Sequence, residues 1–415
     1  MNTILKYCLL LPLSCLATLA LAQEPGRSLD FYLRQAKISS PLLKDLENQR
    51  KTAVIDSMMV KATAKPQITG SSSGLYAPII HGYGYDEVIT NGQSLDALLN
   101  VNYDLLNKKR IQNQLQAVKI QVDSIRYATQ LSTFDLNRSI ADQYILAFAS
   151  QDQVDFNSEV VKLLQKEETI LKTLTRSNVY RQSDYLTFLV TLQQQELSLK
   201  QASLQFKNDL ATLNYLAGIS DTSSVRLDQP KLDADGLYAQ TSFFKRKFEL
   251  DSLKNENQRS AIDLNYKPKL GVYANGGYSS SLVLQPYKNF GASVGFTFSV
   301  PIYDGHQKKM QYSKLDLASQ TINNYRDFFR RQQTQQLILI SQQITQTDAL
   351  FAKINDQIRF SKGLIDVDAR LMHTGDLRVA DFVIAINNYM SAQNLLRQTT
   401  INRLKLINQF NYWNR

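Results

Sequence analysis

Two kinds of hydrophobic pattern run along this chain, and the first of them is an alternation. From Phe290 to Val300 apolar side chains occupy every second position, with small or polar residues between them, and 94–105 repeats this pattern with one interruption at Leu98. A period of two predicts β-strands with one apolar and one polar face. The length matches the about 9 to 11 residues of a tilted membrane-spanning strand. A sheet of a soluble protein with one solvent-exposed face would show the same alternation.

The second pattern is a heptad-like spacing in long tracts without helix breakers. Apolar residues separated by four, three, four and three positions form one such seam, at Ile111, Leu115, Val118, Val122 and Ile125. Leu337, Ile340 and Ile344 form a shorter seam of the same kind. These seams predict coiled-coil helices. A helical tract of about 70 residues would be about 105 Å long at 1.5 Å per residue, far longer than a compact domain needs.

The second half of the chain repeats the first at an offset of about 200 residues. Lys65-Pro66-Gln67-Ile68 returns as Lys267-Pro268-Lys269-Leu270, and Tyr103-Asp104 returns as Tyr303-Asp304. Asp184-Tyr185-Leu186 is answered by Asp381-Phe382-Val383. Three matches at a nearly constant offset predict an internal duplication.

Each predicted repeat contains a helix, a β-hairpin, a very long helix, a short turn and another long helix. We expect the first repeat at 23–218, with its hairpin at 66–105 and its long helices at 106–217. A linker follows at 219–235. The second repeat then occupies 236–415, with its hairpin at 268–301 and its long helices at 304–412.

The first 22 residues predict a secretory signal peptide. Lys6 precedes an apolar run that is too short for a spanning helix, and the triplet Ala20-Leu21-Ala22 is typical of a cleavage site. Cys15 leaves a lipid anchor open as an alternative. With cleavage after Ala22, Cys8 and Cys15 both depart, so the mature chain has no thiol for a disulfide, a metal site or a nucleophile.

Four strands in two distant hairpins cannot close a barrel by themselves. Every backbone polar group in lipid must be paired, so a spanning sheet must close into a barrel without edges. Known spanning barrels have at least about eight strands. If the strands do span a membrane, several chains must therefore contribute to one barrel. After the signal peptide the sequence contains no apolar run long enough for a helical span.

Composition and charge exclude several other classes of function. The net charge is +10, but Lys and Arg are scattered and form no basic block, so we expect no nucleic-acid partner. His81, His306 and His373 are too dispersed for a metal site or a catalytic dyad, and no phosphate-loop or nucleophile motif occurs. We therefore expect no cofactor, no catalytic residues and no enzymatic activity.

The order and spacing of several motifs resemble the TolC-like outer-membrane efflux family over essentially the whole mature chain. The matching pieces are Ser40-Pro41-Leu42, the two Lys-Pro segments, Phe298-Ser299-Val300-Pro301-Ile302-Tyr303-Asp304-Gly305, and Gly375-Asp376-Leu377 with Asp381. The resemblance implies an α+β membrane protein that forms a homotrimer. Each protomer would give four strands to a shared 12-stranded transmembrane β-barrel and its long helices to a trimeric α-barrel.

By the same resemblance, the chain would be a passive outer-membrane channel that extends into the periplasm and serves efflux or type I secretion. Its partners would be a periplasmic adaptor, an inner-membrane transporter and outer-membrane lipid. A periplasmic coiled-coil adaptor or scaffold without a pore remains the alternative.

The resemblance also implies that the adaptor docks at the two helix turns. The docking candidates are Asn178, Val179, Tyr180, Gly375, Asp376 and Leu377. Gly375, and Asn178 at the matching place, also suit a residue with positive φ that ends one helix before the next begins. Turn geometry alone is therefore an equal explanation of these residues.

Asp184 and Asp381 are the gate candidates. In a trimer each would form a ring of carboxylates in a narrow part of the channel, able to bind cations. Asp381 matches an acidic gate position of the family, whereas the family's second acid, three residues later, is Ile384 here. A carboxylate that stabilises the start of a helix is the alternative for both.

Overall fold

The computed structural model describes residues 26–221, 223, 225–234, 243–283 and 285–415. The predicted signal peptide, 1–22, lies outside the described residues. The elements follow in this order: α1 Leu29–Ser39, α2 Pro41–Thr63, β1 Gln67–Tyr76, α3 Glu87–Thr90, β2 Gln93–Asp104, α4 Lys108–Arg176, α5 Gln182–Ala217, α6 Lys245–Asn265, β3 Lys269–Ser280, β4 Phe290–Ser299, α7 Gln307–Thr374 and α8 Val379–Trp413. The predicted combination of very long helices with four strands is confirmed.

The long helices account for most of the fold. α4 has 69 residues and α7 has 68. The seam positions predicted in α4 are all buried or half-buried, and so are Leu337, Ile340 and Ile344 in α7. None of the described helices combines the length and the apolar character that a membrane span requires.

The chain forms two compact units, and each draws on both halves of the sequence. So far as their residues are described, the first unit comprises Met1–Ser40, Asp135–Asp235 and Leu339–Tyr412, and the second comprises Pro41–Phe134, Gly236–Ile338 and Trp413–Arg415. The internal duplication remains a prediction.

One core of the first unit joins α1 to α4 and α5. Tyr32 of α1 packs edge-on against Tyr144 of α4, and both rings are fully buried. The Tyr144 hydroxyl lies 2.9 Å from the Arg27 carbonyl oxygen and 2.7 Å from the Asp228 carbonyl oxygen. One buried tyrosine therefore fixes the segment before α1 and the segment after α5.

The described residues of the second unit contain an antiparallel sheet in the order β1-β2-β3-β4. Its register places Ile68 opposite Val101, Val101 opposite Ala274, and Ala274 opposite Val294. Residues directly opposite each other share a face, so this row and its alternate neighbours form one apolar face. Val294 at 84% and Phe296 at 74% are almost fully exposed within the chain.

The other face of the sheet is polar and carries hydrogen bonds between strands. The Asp96 carboxylate accepts bonds from Ser73 at 3.1 Å and from Ser279 at 2.6 Å, on the two strands that flank it. Asn100 donates to Ser71 at 2.8 Å. The predicted interruption, Leu98, lies on this face opposite Ser71 and Gly277. The predicted separation into an apolar and a polar face is thus present in β2, apart from Leu98, and in β4.

Candidate functional site

The two helix turns in the first unit have the same backbone design. α4 ends at Arg176 and is followed by Asn178 with φ 60°, and α7 ends at Thr374 and is followed by Gly375 with φ 87°. The left-handed conformation predicted for both turn residues is present. It directs the chain out of one helix and toward the next.

Hydrogen bonds identify both turns as Schellman motifs. The Val179 N–H donates to the Leu174 carbonyl at 2.9 Å, and the Asp376 N–H donates to the Leu371 carbonyl at 2.9 Å. Each is the 6→1 bond that satisfies an otherwise unpaired carbonyl at a helix end. The backbone of each turn is therefore determined by local bonds.

We predict that substitution of Gly375 lowers the stability of the protein much more than substitution of Asn178. Gly375→Ala should destabilise the first unit by about 1–3 kcal/mol, because an L-residue is strained at positive φ. In addition, a Cβ at this position would lie 2.6 Å from Val179 Cγ1. Asn178→Gly should change stability by less than about 0.5 kcal/mol, because glycine adopts this conformation freely. Denaturant unfolding of both variants checks this, and equal losses would contradict it.

Tyr180 joins the first turn to the second. Its hydroxyl lies 2.8 Å from the Leu377 carbonyl oxygen and 3.0 Å from the Met372 carbonyl oxygen, and it donates to one of them. Burial of the ring raises the pKa of Tyr180 above its usual value. The structure therefore brings the two predicted groups of turn residues into contact.

The six docking candidates differ in how much surface they present. Asn178, Val179 and Asp376 are exposed, whereas Tyr180, Gly375 and Leu377 are half-buried. Leu377 and the ring of Tyr180 pack against the core beneath the turns. Of the six candidates, Asn178, Val179 and Asp376 therefore supply most of the exposed surface at the turns.

Asp184 and Asp381 hold the same place in the two helices that follow the turns. Both lie in the first helical turn, three residues after an arginine. Asp184 accepts a bond from the Arg181 backbone N–H at 3.2 Å. Asp381 accepts from the Arg378 guanidinium, with its Oδ2 3.0 Å from Nε. Within one chain, each carboxylate thus stabilises its own helix start.

A compact apolar core, which we call the tip core, lies beneath both turns. Its fully buried side chains are Leu164, Leu171, Phe188, Met372, Phe382 and Ala385. The rings of Phe188 and Phe382 stack with centroids 6.3 Å apart. This core joins the helices on both sides of each turn, so the two turns form one structural element.

Two buried acids near the tip core were not predicted from the sequence. Asp368 is only 7% exposed, and burial, together with the negative charge of Asp381, raises the pKa of its carboxyl group. Glu167 is 2% exposed, and its Oε2 lies 2.7 Å from Nε2 of His373. The available signal was the position of each acid within an apolar helical row, such as Asp368 between Ile365 and Met372.

The described part of the chain has no cluster of three or more His, Cys, Asp or Glu side chains arranged to hold a metal ion. The charged groups at the two turns are instead one ion pair, Arg378–Asp381, and the Asp184 carboxylate on the backbone N–H of Arg181.

Comparison with known proteins identifies the fold. No family model matches the sequence, and no curated protein matches it either. Solved structures match it closely: crystal structures of CusC that concern transmembrane channel formation have a TM-score of 0.75 at 13% identity, covering 93% of this chain and 91% of that one.

Two further structures agree. The open-state MtrE outer membrane channel of Neisseria gonorrhoeae has a TM-score of 0.74 at 13% identity, covering 93% of this chain and 88% of that one. The outer membrane protein VceC of Vibrio cholerae has a TM-score of 0.73 at 13% identity, covering 93% and 95%. The fold implied by the sequence resemblance is therefore confirmed.

Proposed function

We propose, from the premise that this chain has the fold of outer-membrane channels, that three copies form a passive export channel in the outer membrane. The four strands of each copy would contribute to one 12-stranded barrel, and the long helices would form a hollow cylinder that extends into the periplasm. Flow would be powered by an inner-membrane transporter, and the channel would provide the exit path for efflux or type I secretion.

The observation that carries this proposal is the sheet with two different faces and two free edges. Its apolar face is exposed in the chain, and its opposite face carries mostly Ser, Thr, Asn and Asp side chains, with Leu98 and Tyr273 as exceptions. Among the described residues, β1 and β4 each have a neighbouring strand on one side only. Closure with further copies would pair both edges, direct the apolar face to lipid and line a pore with the polar face.

The turns are the proposed docking place for a periplasmic adaptor. Asn178, Val179 and Asp376 supply the exposed part of this surface, and Tyr180, Gly375 and Leu377 hold it in shape. Because the two turns share one backbone design, a trimer would present six similar docking points.

Asp381, with Asp184 as its counterpart, is the proposed gate residue. In a trimer three Arg378–Asp381 pairs would surround the axis, and opening would require these helix starts to separate. We predict that Asp381→Asn lowers the preference of the open channel for cations over anions, because a ring of negative charge is removed. Reversal potentials in a salt gradient measure this, with Asp366→Asn, an exposed acid elsewhere on α7, as the matched control. An unchanged preference would remove Asp381 from the ion path.

Detergent fractionation and planar-bilayer recording test the proposed function. The protein should fractionate with the outer membrane and be released from it by detergent. After purification it should migrate as a trimer and open a conducting pore in a planar bilayer. A product released with the soluble periplasmic fraction would support the alternative of an adaptor or scaffold. A trimer that conducts in neither its native form nor the Asp381→Asn form would contradict the channel.

A further inference from the structure

The two loops at one end of the sheet have features that the channel function does not explain. The long loop, 77–92, joins β1 to β2, and the short loop, 281–289, joins β3 to β4. The long loop is ordered by its own bonds. Ile80 and Tyr83 exchange backbone bonds of 2.9 and 3.0 Å around His81 and Gly82, both at positive φ. The Asp86 carboxylate accepts from the Val88 N–H at 3.0 Å.

This ordered long loop nevertheless exposes large apolar side chains. Tyr83 is 86% exposed and Val88 is 89% exposed. Ile80, Tyr85 and Ile89 are also exposed, and in the short loop so are Val283 and Tyr287. Exposed apolar side chains on a backbone that is already fixed are typical of a surface that a partner covers.

The two loops have complementary charge. The long loop contains no lysine or arginine and presents the exposed carboxylate of Asp86. The described part of the short loop contains no acid and presents the exposed ammonium group of Lys288, which lies 5.7 Å from the centroid of the Tyr287 ring. The long loop therefore offers negative charge, from Asp86 with Glu87 next to it in the sequence, and the short loop offers the positive charge of Lys288, each beside an aromatic or aliphatic surface.

The sheet topology allows a second copy of the chain to supply the partner. β1 ends at Tyr76 and leads into the long loop, and β4 begins at Phe290 directly after the short loop. β1 and β4 are the two edges. If β4 of one copy pairs antiparallel with β1 of the next, as its neighbours do within the chain, the short loop of one copy lies beside the long loop of the other.

We infer that the long loop of each copy docks on the short loop of the neighbouring copy, with Asp86 of the partner subunit paired to Lys288 and tyrosines packed between them. The occupant of the exposed surface is thus a second copy of this chain. The contact would form a collar that joins the subunits beyond the end of the sheet. It rests on the proposed trimer and adds a specific interface to it.

Cysteine cross-linking tests the placement of the loops. The chain from Gln23 onward contains no cysteine, so a chain carrying both Tyr83→Cys and Tyr287→Cys has no competing thiol. We expect oxidation to give covalent dimers and trimers on a non-reducing gel. Each single variant should remain monomeric under denaturing conditions. The matched control combines Tyr83→Cys with Tyr303→Cys, an exposed tyrosine beyond the opposite end of β4, and should give no cross-link.

A charge exchange tests the pairing. Asp86→Lys and Lys288→Glu should each speed heat dissociation of the trimer by about fivefold per interface, which corresponds to the upper range for an exposed ion pair. The double variant should recover most of the native rate. Lys314→Glu, an exposed lysine of α7 in the same unit, should have no effect.

The outcomes separate this inference from the proposed function. A native protein that neither forms trimers nor conducts overturns the channel itself. A native trimer that conducts, but gives no cross-link between copies and no recovery in the double variant, overturns only the collar. In that case, protection of the loop tyrosines by lipid vesicles would assign the apolar surface to the membrane instead.

Discussion

Val294→Arg is expected to abolish accumulation of the trimer in the outer membrane. Val294 lies near the middle of β4 on the apolar face, opposite Ala274, and is 84% exposed within the chain. An arginine facing lipid near the middle of a spanning barrel costs about 2–4 kcal/mol, and a trimer contains three of them. The measurement is the amount of heat-dissociable trimer in the outer-membrane fraction relative to total protein.

The matched control is Ser293→Arg, one position away on the polar face. This variant loses the 2.8 Å hydrogen bond from Ser293 to Asn275, which is worth about 1 kcal/mol, but its charge would face water. We expect trimers to form, with altered conductance. If both variants assemble equally well, the apolar face does not contact lipid and the membrane assignment is wrong.

Phe382→Ala is the second substitution with a large expected effect. Phe382 is fully buried in the tip core and stacks on Phe188. Truncating a buried phenylalanine costs about 3–5 kcal/mol, because apolar contacts are lost and a cavity remains. Since this core joins both turns, we expect the first turns of α5 and α8 to open locally in the folded protein.

Hydrogen exchange of the amides in these helix starts measures the effect, together with protease cleavage at the two turns. The control is Ile384→Ala on the same helix, which is 56% exposed and should change stability by less than about 0.5 kcal/mol. If Phe382→Ala leaves the exchange rates of both helix starts unchanged, the tip core does not hold the turns together.

The sheet shows how far the sequence predicted the fold. Alternation alone predicted both faces, because side chains of a strand point to opposite sides at successive positions. The position of Tyr273 could not be predicted from the alternation, because its large ring lies on the polar face. The ring has room there because the residue directly opposite is Gly295, where a Cβ would lie 2.4 Å from the ring atoms. Whether a large residue faces a glycine on the next strand depends on the register between the strands, and the sequence of one strand does not determine that register.

The two helix turns show a different limit of prediction from the sequence. The positive φ of Asn178 and Gly375 followed from residue propensity, which acts within one turn of chain. The contact from the Tyr180 hydroxyl to the carbonyl of Leu377 joins residues nearly two hundred positions apart and depends on how the helices pack. The roles of these residues in docking and of Asp381 in gating remain predictions, since they depend on neighbouring molecules.

The free edges of the sheet have a consequence for how the protein reaches its final state. Each isolated copy leaves the unpaired N–H and C=O groups of two ten-residue strands open to any other chain. Completing the fold is then a reaction between molecules, and its yield depends on protein concentration. At low expression, newly made copies should remain unassembled for longer, and more of them should be degraded. The fraction of copies that assembles into trimers should therefore rise with the rate of synthesis.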